Sequence, residues 1–316
     1  MALAVLLRFD FSLVAVFDGV AAEVGGQALA PPSPSALTTL GLVSLSMAAV
    51  FGIGGLPHIL IRFLTVPDAK AARNSVITAT WVICGFFMMT PIIGYGAVLI
   101  VGRDEIAEAN PAGNLAAPQL AVAIGGNLFL AFIAAAAFAA IISTVVGLVI
   151  ASAGAFAHDF YTNVVRGGQV SQREQFRAAR VTSVAITVAA ILLSLGAQNF
   201  NVAFTIALAF AIAASANFPV LILTIFWRKC NTVGAITGML VGLVSSVALV
   251  LVSPNVMGED ALFPLEYPTI VTMPLGFLAC YLGTLVSGTV REGRRERHVP
   301  FDEIYVRSAT GIKTLL

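Results

Sequence analysis

The sequence predicts an all-α membrane fold, a polytopic helical bundle of about seven transmembrane helices. Three observations carry this. Hydrophobic residues make up 59% of the 316 and charged residues only 10%, against about 25% charge in soluble domains. Seven apolar stretches are long enough to cross about 30 Å of hydrocarbon. Nearly all the basic residues fall on one side of those stretches.

Taken in order, residues 1–36 form an extracytoplasmic N-terminal segment. Arg8, Asp10 and Asp18 break its first apolar stretch, so no secretory signal is evident. The Asp10–Ala22 stretch is open to two readings: a short amphipathic helix on the membrane surface, or an unstructured loop. Pro31-Pro32-Ser33-Pro34 separates it from the membrane. Residues 37–288 form the transmembrane domain, with spans at roughly 37–64, 74–101, 127–157, 178–198, 201–227, 233–252 and 267–288. The first span carries Gly52, Gly54, Gly55 and Pro57 at mid-membrane depth. A regular helix does not survive that run, and an interruption near Gly52–Pro57 is expected. Residues 289–316 are a polar tail.

Lys and Arg set the orientation. Arg62, Lys70 and Arg73, then Arg166, Arg173, Arg177 and Arg180, then Arg228 and Lys229 share one side with the six basic residues of the tail. Only Arg8 and Arg103 lie opposite. Fifteen against two places the tail in the cytoplasm and the N-terminus outside, in a multi-pass protein of the cell inner membrane. The outer loops are acidic instead, with Asp104, Glu105, Glu108, Glu259, Asp260 and Glu266.

The chemistry available is narrow. Cys84, Cys230 and Cys280 have no metal-ligand spacing and read as small hydrophobes. There is no Gly-rich phosphate loop, Cys/His constellation or nucleophile triad, so the chain reads as no enzyme. Nothing points to a nucleic-acid partner or an organic cofactor. No Asp or Glu falls mid-span, which favours sodium over proton coupling, since proton relays need ionisable groups in the membrane.

Ala140, Ser143 and Thr144 lie at i, i+3 and i+4, on one helix face. Two hydroxyls and a backbone carbonyl there offer a hard cation neutral oxygen ligands. Equally, the hydroxyls bond the preceding helical turn. Gly54, Gly55, Pro57 and His58 are substrate-side candidates, because a broken helix presents a positive half-helix end to a carboxylate. Their alternative is helix packing. Asn217, before Pro219, either bonds the carbonyl freed by that proline or lines the path. Phe51 and Phe218 read as gate or core residues. Arg294-Arg295-Glu296-Arg297 is a solvated cluster, with anionic lipid as its only suggested contact.

Several runs carry a family resemblance. Thr224-Ile-Phe-Trp-Arg-Lys229 leads five residues later into Gly234-Ala235, and small residues at Gly238 and Gly242 follow. With it go Phe51-Gly-Ile-Gly-Gly-Leu-Pro57-His58, Ala140-Ile-Ile-Ser143-Thr144, His158-Asp-Phe-Tyr161, Ala213-Ala-Ser-Ala-Asn217-Phe-Pro219, Phe263-Pro-Leu-Glu-Tyr-Pro268 and Ile304-Tyr-Val-Arg-Ser-Ala-Thr-Gly311. From about residue 37 to its end the chain resembles the sodium:solute symporter family, in its cation/acetate symporter (acetate permease) branch. The resemblance implies the second inverted repeat plus the last two helices of a LeuT-type transporter fold. It implies sodium at Ala140, Ser143 and Thr144, and sodium-coupled symport of acetate or a similar small monocarboxylate across the lipid bilayer. It also implies a first helix repeat, with the other half of the sodium site, that these residues do not contain; a false start at Met1, a split gene or a decayed gene would explain that. A non-transporting fragment, a split-transporter subunit whose missing N-terminal half supplies the first repeat, and a sensory membrane module are the alternative functions.

Overall fold

The computed structural model describes residues 1–26, 35–64, 66–197 and 200–288. The Pro31–Pro34 run, the Arg294–Arg297 cluster and the tail motif at 304–311 lie outside them. Among the described residues the chain is a set of helices, seven of them long and apolar enough to cross a membrane. The helices are α1 (Ala2–Arg8), α2 (Leu13–Val24), α3 (Ala36–Gly55), α4 (Pro57–Leu64), α5 (Ala69–Ile100), α6 (Arg103–Ala109), α7 (Ala116–Ala155), α8 (Gln172–Gly196), α9 (Val202–Phe226), α10 (Thr232–Leu251), α11 (Pro254–Met257) and α12 (Thr269–Gly288). A π-helical stretch, Phe156–Val165, extends α7. The chain divides into two compact units, Met1–Pro31 with Asn74–Val202, and Pro32–Arg73 with Ala203–Leu316.

The first unit has a small core at one end. Val5, Ala97, Ile106 and Leu120 are buried together, with Ile92, Ile93 and Ile124 packed against them. This cluster joins α1, α5, α6 and the start of α7. The N-terminal segment is thus helical: α1 and α2 flank Asp10 and Phe11, both at positive φ. Both helices pack on α5. Val5 sits over Gly96, where a Cβ would collide with it, and Leu99 closes on Gly19. Phe17 meets Tyr95 edge-on at 5.7 Å.

The helix α7 is two helices joined at a glycine pair. Gly126 has φ 66° and ψ −164°, a region that only glycine occupies without strain. The part before it belongs to the core just described, and a second helix runs on from Asn127. Two loops of this unit are clasped by asparagines. Asn201 donates to the Ala112 carbonyl at 2.7 Å, Asn114 donates to the Phe200 carbonyl at 3.2 Å, and the Asn114 side-chain oxygen accepts from the Val202 amide. In the most apolar stretches of α5, α7 and α8 no residue is buried. Those faces are left for lipid or for further protein.

The second unit is packed through small residues. Gly234, Gly238 and Gly242 recur every fourth residue along α10, and all three are buried. A Cβ at Gly234 would strike Thr284 and Cys280, one at Gly238 would strike Cys280, and one at Gly242 would strike the Ser215 carbonyl. The stripe therefore brings α10 to backbone contact with α12 and α9. Asn231 caps α10 by accepting from the Gly234 amide at 2.9 Å, and its own amide donates to Ser287 of α12 at 2.7 Å.

Candidate transport site

The first span is two helices. Helix α3 ends at Gly55, Leu56 is extended at φ −80° and ψ 116°, and α4 starts at Pro57. The cause is in the residues: Pro57 lacks an amide hydrogen, and the glycines before it resist little. Most hydrogen-bonding groups at the break are paired. The Leu56 amide donates to Ile53 at 3.4 Å, and the amides of Ile59 and Leu60 close onto the Leu56 carbonyl. The Gly55 carbonyl, at the end of α3, accepts from the Asn217 side chain of α9 at 2.9 Å.

The break is also pinned sterically. Ser44, Ala48, Gly52 and Gly55 form the buried face of α3. At Gly52 a Cβ would run into the Phe210 backbone, and at Gly55 into the Ala213 carbonyl. Gly55 is thus a packing glycine of the α3–α9 contact. Gly54 faces the Phe218 ring with ordinary clearance, since a Cβ there would lie 3.5 Å from the ring. Pro57 is exposed and His58 half-buried. Phe51 and Phe218 lie ring against ring at 4.9 Å, and Phe218 also meets Phe277 of α12 at 6.3 Å.

Asn217 does not serve the carbonyl that Pro219 frees. That carbonyl belongs to Ser215, and Gly242 and Gly276 approach it from α10 and α12. The freed acceptor thus sits where three helices come closest. The Ser215 hydroxyl, fully buried, donates to Ala211 at 2.7 Å or shares a 2.6 Å bond with Thr272. Near the middle of α3 the Ser44 hydroxyl donates to Tyr267 at 2.6 Å and accepts from the Ile270 amide. Sequence reasoning misses these two serines. Serine is common in membrane helices, and partners 57 and 223 residues away leave no local signal.

Ala140, Ser143 and Thr144 belong to the other compact unit. All three are exposed on α7. The Thr144 hydroxyl donates to the Ala140 carbonyl at 2.9 Å, one turn back. The two oxygens are therefore held together, and each keeps lone pairs for another donor or a cation. A cation site would have Ser143 and Thr144 face the bundle interior; in this chain they lie on an open helix face. Among the described residues no three His, Cys, Asp or Glu side chains gather to hold a metal.

Where the π-helical stretch meets α8, a polar knot forms. Tyr161 donates to Glu174 at 2.8 Å, and Arg166 donates to the same carboxylate at 2.7 Å and to the Tyr161 oxygen at 3.3 Å. The Tyr161 hydroxyl first, and the Glu174 charge second, raise the Arg166 pKa above its ordinary value. Ser171-x-x-Glu174 is the N-terminal pattern of a capping box, and Ser171 does accept from the Glu174 amide at 3.3 Å. The Glu174 side chain is diverted from the box to the knot. That pattern was a readable signal for where α8 begins.

Comparison with known proteins agrees with this architecture. The sequence profile of the Sodium:solute symporter family matches residues 11–242. An uncharacterised symporter, YwcA, of Bacillus subtilis is 46% identical over 320 residues, covering 98% of this chain and 61% of that protein. A monocarboxylic acid transporter of Corynebacterium glutamicum is 45% identical over 259 residues, covering 79% of this chain and 47% of that protein. The chain thus spans about half to three fifths of the length of these relatives. Those relatives are transporters, not enzymes. This multi-pass membrane chain, with its broken first span and glycine-striped helices, belongs to the sodium:solute symporter family.

Proposed function

We propose that these residues form the second half of a sodium-coupled symporter for acetate or a similar small monocarboxylate. The observation that carries the proposal is the helix break at Leu56, fixed from α9 by Asn217. Membrane transporters of this architecture bind substrate where a discontinuous helix crosses mid-membrane. A small acid is favoured because a relative of 45% identity bears the name monocarboxylic acid transporter.

Gly54, Pro57, His58 and Asn217 are the substrate-side candidates, with Gly55 acting through its carbonyl and its close packing. Sodium is cargo, and Ala140, Ser143 and Thr144 supply its oxygens on α7. Both the ion's remaining ligands and the opposite wall of the path come from a first helix repeat beyond residues 1–316. Binding of sodium in one conformation biases the balance of inward- and outward-facing states, which couples the ion to the acid. The N-terminus and residues 1–36 lie outside, residues 37–288 span the inner membrane, and residues 289–316 are cytoplasmic.

The test is uptake of labelled acetate by vesicles carrying the longer transporter that contains these residues. An imposed inward sodium gradient should drive accumulation, and propionate and pyruvate should compete. Accumulation that follows a proton gradient and ignores sodium would reject the coupling ion but keep the acid. Indifference to every monocarboxylate would reject the substrate class.

A further inference from the structure

The polar knot at the foot of α8 borders a cavity of about 650 Å³. That is within the range of about 300–1,000 Å³ found for small-ligand sites. Its polar wall includes Arg166, Arg173 and Arg177, and Glu174 is the acid among its lining residues. The carboxylate of Glu174 is already engaged by Tyr161 and Arg166. Arg177 feels that charge at a distance but forms no ion pair with it. Arg173 and Arg177 have no hydrogen-bond or ion-pair partner among the described residues. They stand one turn apart on α8, at i and i+4, where like charges repel. The nearby Asp159 carboxylate is held by His158 at 2.8 Å and does not line the cavity. The cavity therefore carries two guanidinium groups, one turn apart, whose donors are open to a ligand.

The rest of the wall is mixed. Phe156, Ala178 and Val181 give it an apolar part, and the hydroxyl residues Ser171 and Thr182 complete the lining. Val181 is 63% exposed, and the apolar face continues along α8 through Val184 and Val188. Arg177 and Val181 are four residues apart, about 6 Å along the axis. Cations thus meet exposed apolar side chains within one helical turn, a spacing that suits a headgroup above its acyl chains. Guanidinium groups pair with phosphate oxygens through two parallel hydrogen bonds, and basic pockets between spans take lipid headgroups in this way.

We propose that the cavity between the π-helical stretch and α8 binds the phosphate of an anionic phospholipid headgroup, held by Arg173 and Arg177. Arg166 is excluded from that duty by its pairing with Glu174. Tyr161, Arg166 and Glu174 instead brace the cavity wall, and the apolar lining receives the upper part of an acyl chain. The site is remote in sequence from the broken span and independent of which solute is carried.

The experiment is native mass spectrometry of the purified 316-residue protein in detergent, with phosphatidylglycerol and phosphatidylcholine added at equal concentration. One equivalent of phosphatidylglycerol should be retained in preference to phosphatidylcholine. The Arg173→Gln/Arg177→Gln variant should lose about tenfold of that preference, the loss of one or two charge-assisted hydrogen bonds. Arg173→Lys/Arg177→Lys should keep part of it, and Arg103→Gln should keep all of it. Helical circular dichroism checks that each variant is folded. If the double Gln variant does not fold, the Lys variant against the parent, with added inorganic phosphate as competitor, decides the question. Phosphatidylglycerol that survives millimolar phosphate supports a lipid site, whereas displacement by phosphate identifies a soluble-anion site and overturns the lipid assignment. Equal retention of the two lipids overturns the proposal altogether.

Discussion

Asn217 reaches across 162 residues of sequence to donate a 2.9 Å hydrogen bond to the carbonyl of Gly55. The acceptor is the last residue of α3, where Pro57 prevents the next helical bond from forming. One amide side chain thus secures the open end of a broken membrane helix. Without it the carbonyl would stay unpaired in a region poor in water, an outcome that membrane-buried backbone avoids.

Asn217→Ala removes that donor. The expected cost is about 1–3 kcal/mol, the penalty of an orphaned buried acceptor. Asn217→Asp should be at least as harmful, because it sets a carboxylate or a carboxyl group against the carbonyl. Thermal unfolding in detergent reads both. A parental melting temperature for both variants would mean that water replaces the amide and that the break is not held from α9.

The glycines of α10 divide from the glycines that touch nothing. Gly242→Ala drives a methyl group into the Ser215 carbonyl, and Gly52→Ala drives one into the Phe210 backbone. Each should destabilise by about 1–3 kcal/mol, as overpacking does. Gly85 in α5 and Gly147 in α7 have nothing within 4 Å of a Cβ. Alanine there should be neutral or stabilise by up to about 1 kcal/mol through helix propensity. A denaturation series over these four variants checks the contrast, and equal effects would refute backbone contact between the helices.

How far the sequence revealed this structure depends on the range of each cause. The break at Leu56 was legible because glycines and a proline act locally. The third span was expected to start at residue 127; the apolar helix instead starts at Ala116, and Gly125 and Gly126 kink it just before that position. The partner of Asn217 was not legible. The sequence suggested the carbonyl freed by nearby Pro219, and tertiary packing instead gave that carbonyl to Gly242 and Gly276. The helix before Gly125 was missed as well, because its buried face depends on Val5 and Ile106, which are distant in sequence. The sequence left the Asp10–Ala22 stretch evenly between helix and loop, and the packing of α2 on Leu99 decides for helix. The spacing of Ala140, Ser143 and Thr144 offered two roles, and the 2.9 Å bond from Thr144 to Ala140 is compatible with both.

Those two roles separate in the longer transporter proposed above. Ser143→Ala and Thr144→Ala should raise the sodium concentration for half-maximal uptake by about fivefold or more, which corresponds to losing roughly 1 kcal/mol of ligation. Maximal uptake at saturating sodium should change less. Sodium titrations of acetate uptake measure both quantities. A parental sodium curve in both variants would return the hydroxyls to bonding their own helix.

The proposed orientation has a direct check. In a variant whose native Cys84, Cys230 and Cys280 are replaced, a cysteine at position 260 should react with an impermeant maleimide added outside intact cells. One at position 169, in the exposed loop before α8, should react only after the membrane is opened. The reverse pattern would invert the topology drawn from the basic residues.

The last prediction concerns the 316-residue polypeptide acting alone: it should not accumulate acetate on a sodium gradient. A dehydrated sodium ion needs a nearly complete shell of oxygen ligands. In this chain the Ala140–Thr144 oxygens lie on an exposed face of α7, and a poorly coordinated charge in the bilayer costs several kcal/mol. The most apolar stretches of α5, α7 and α8 bury no residue. The alanines at 134–137 likewise have little to pack against, although small residues in membranes serve close helix contact. Proteoliposomes holding this polypeptide, with and without a sodium gradient and with labelled acetate, make the measurement. Gradient-dependent accumulation would show that copies of this half complete one another's site, and a first helix repeat would then be unnecessary. Accumulation that appears only when the preceding half of a longer relative is co-reconstituted would locate the remaining sodium ligands there.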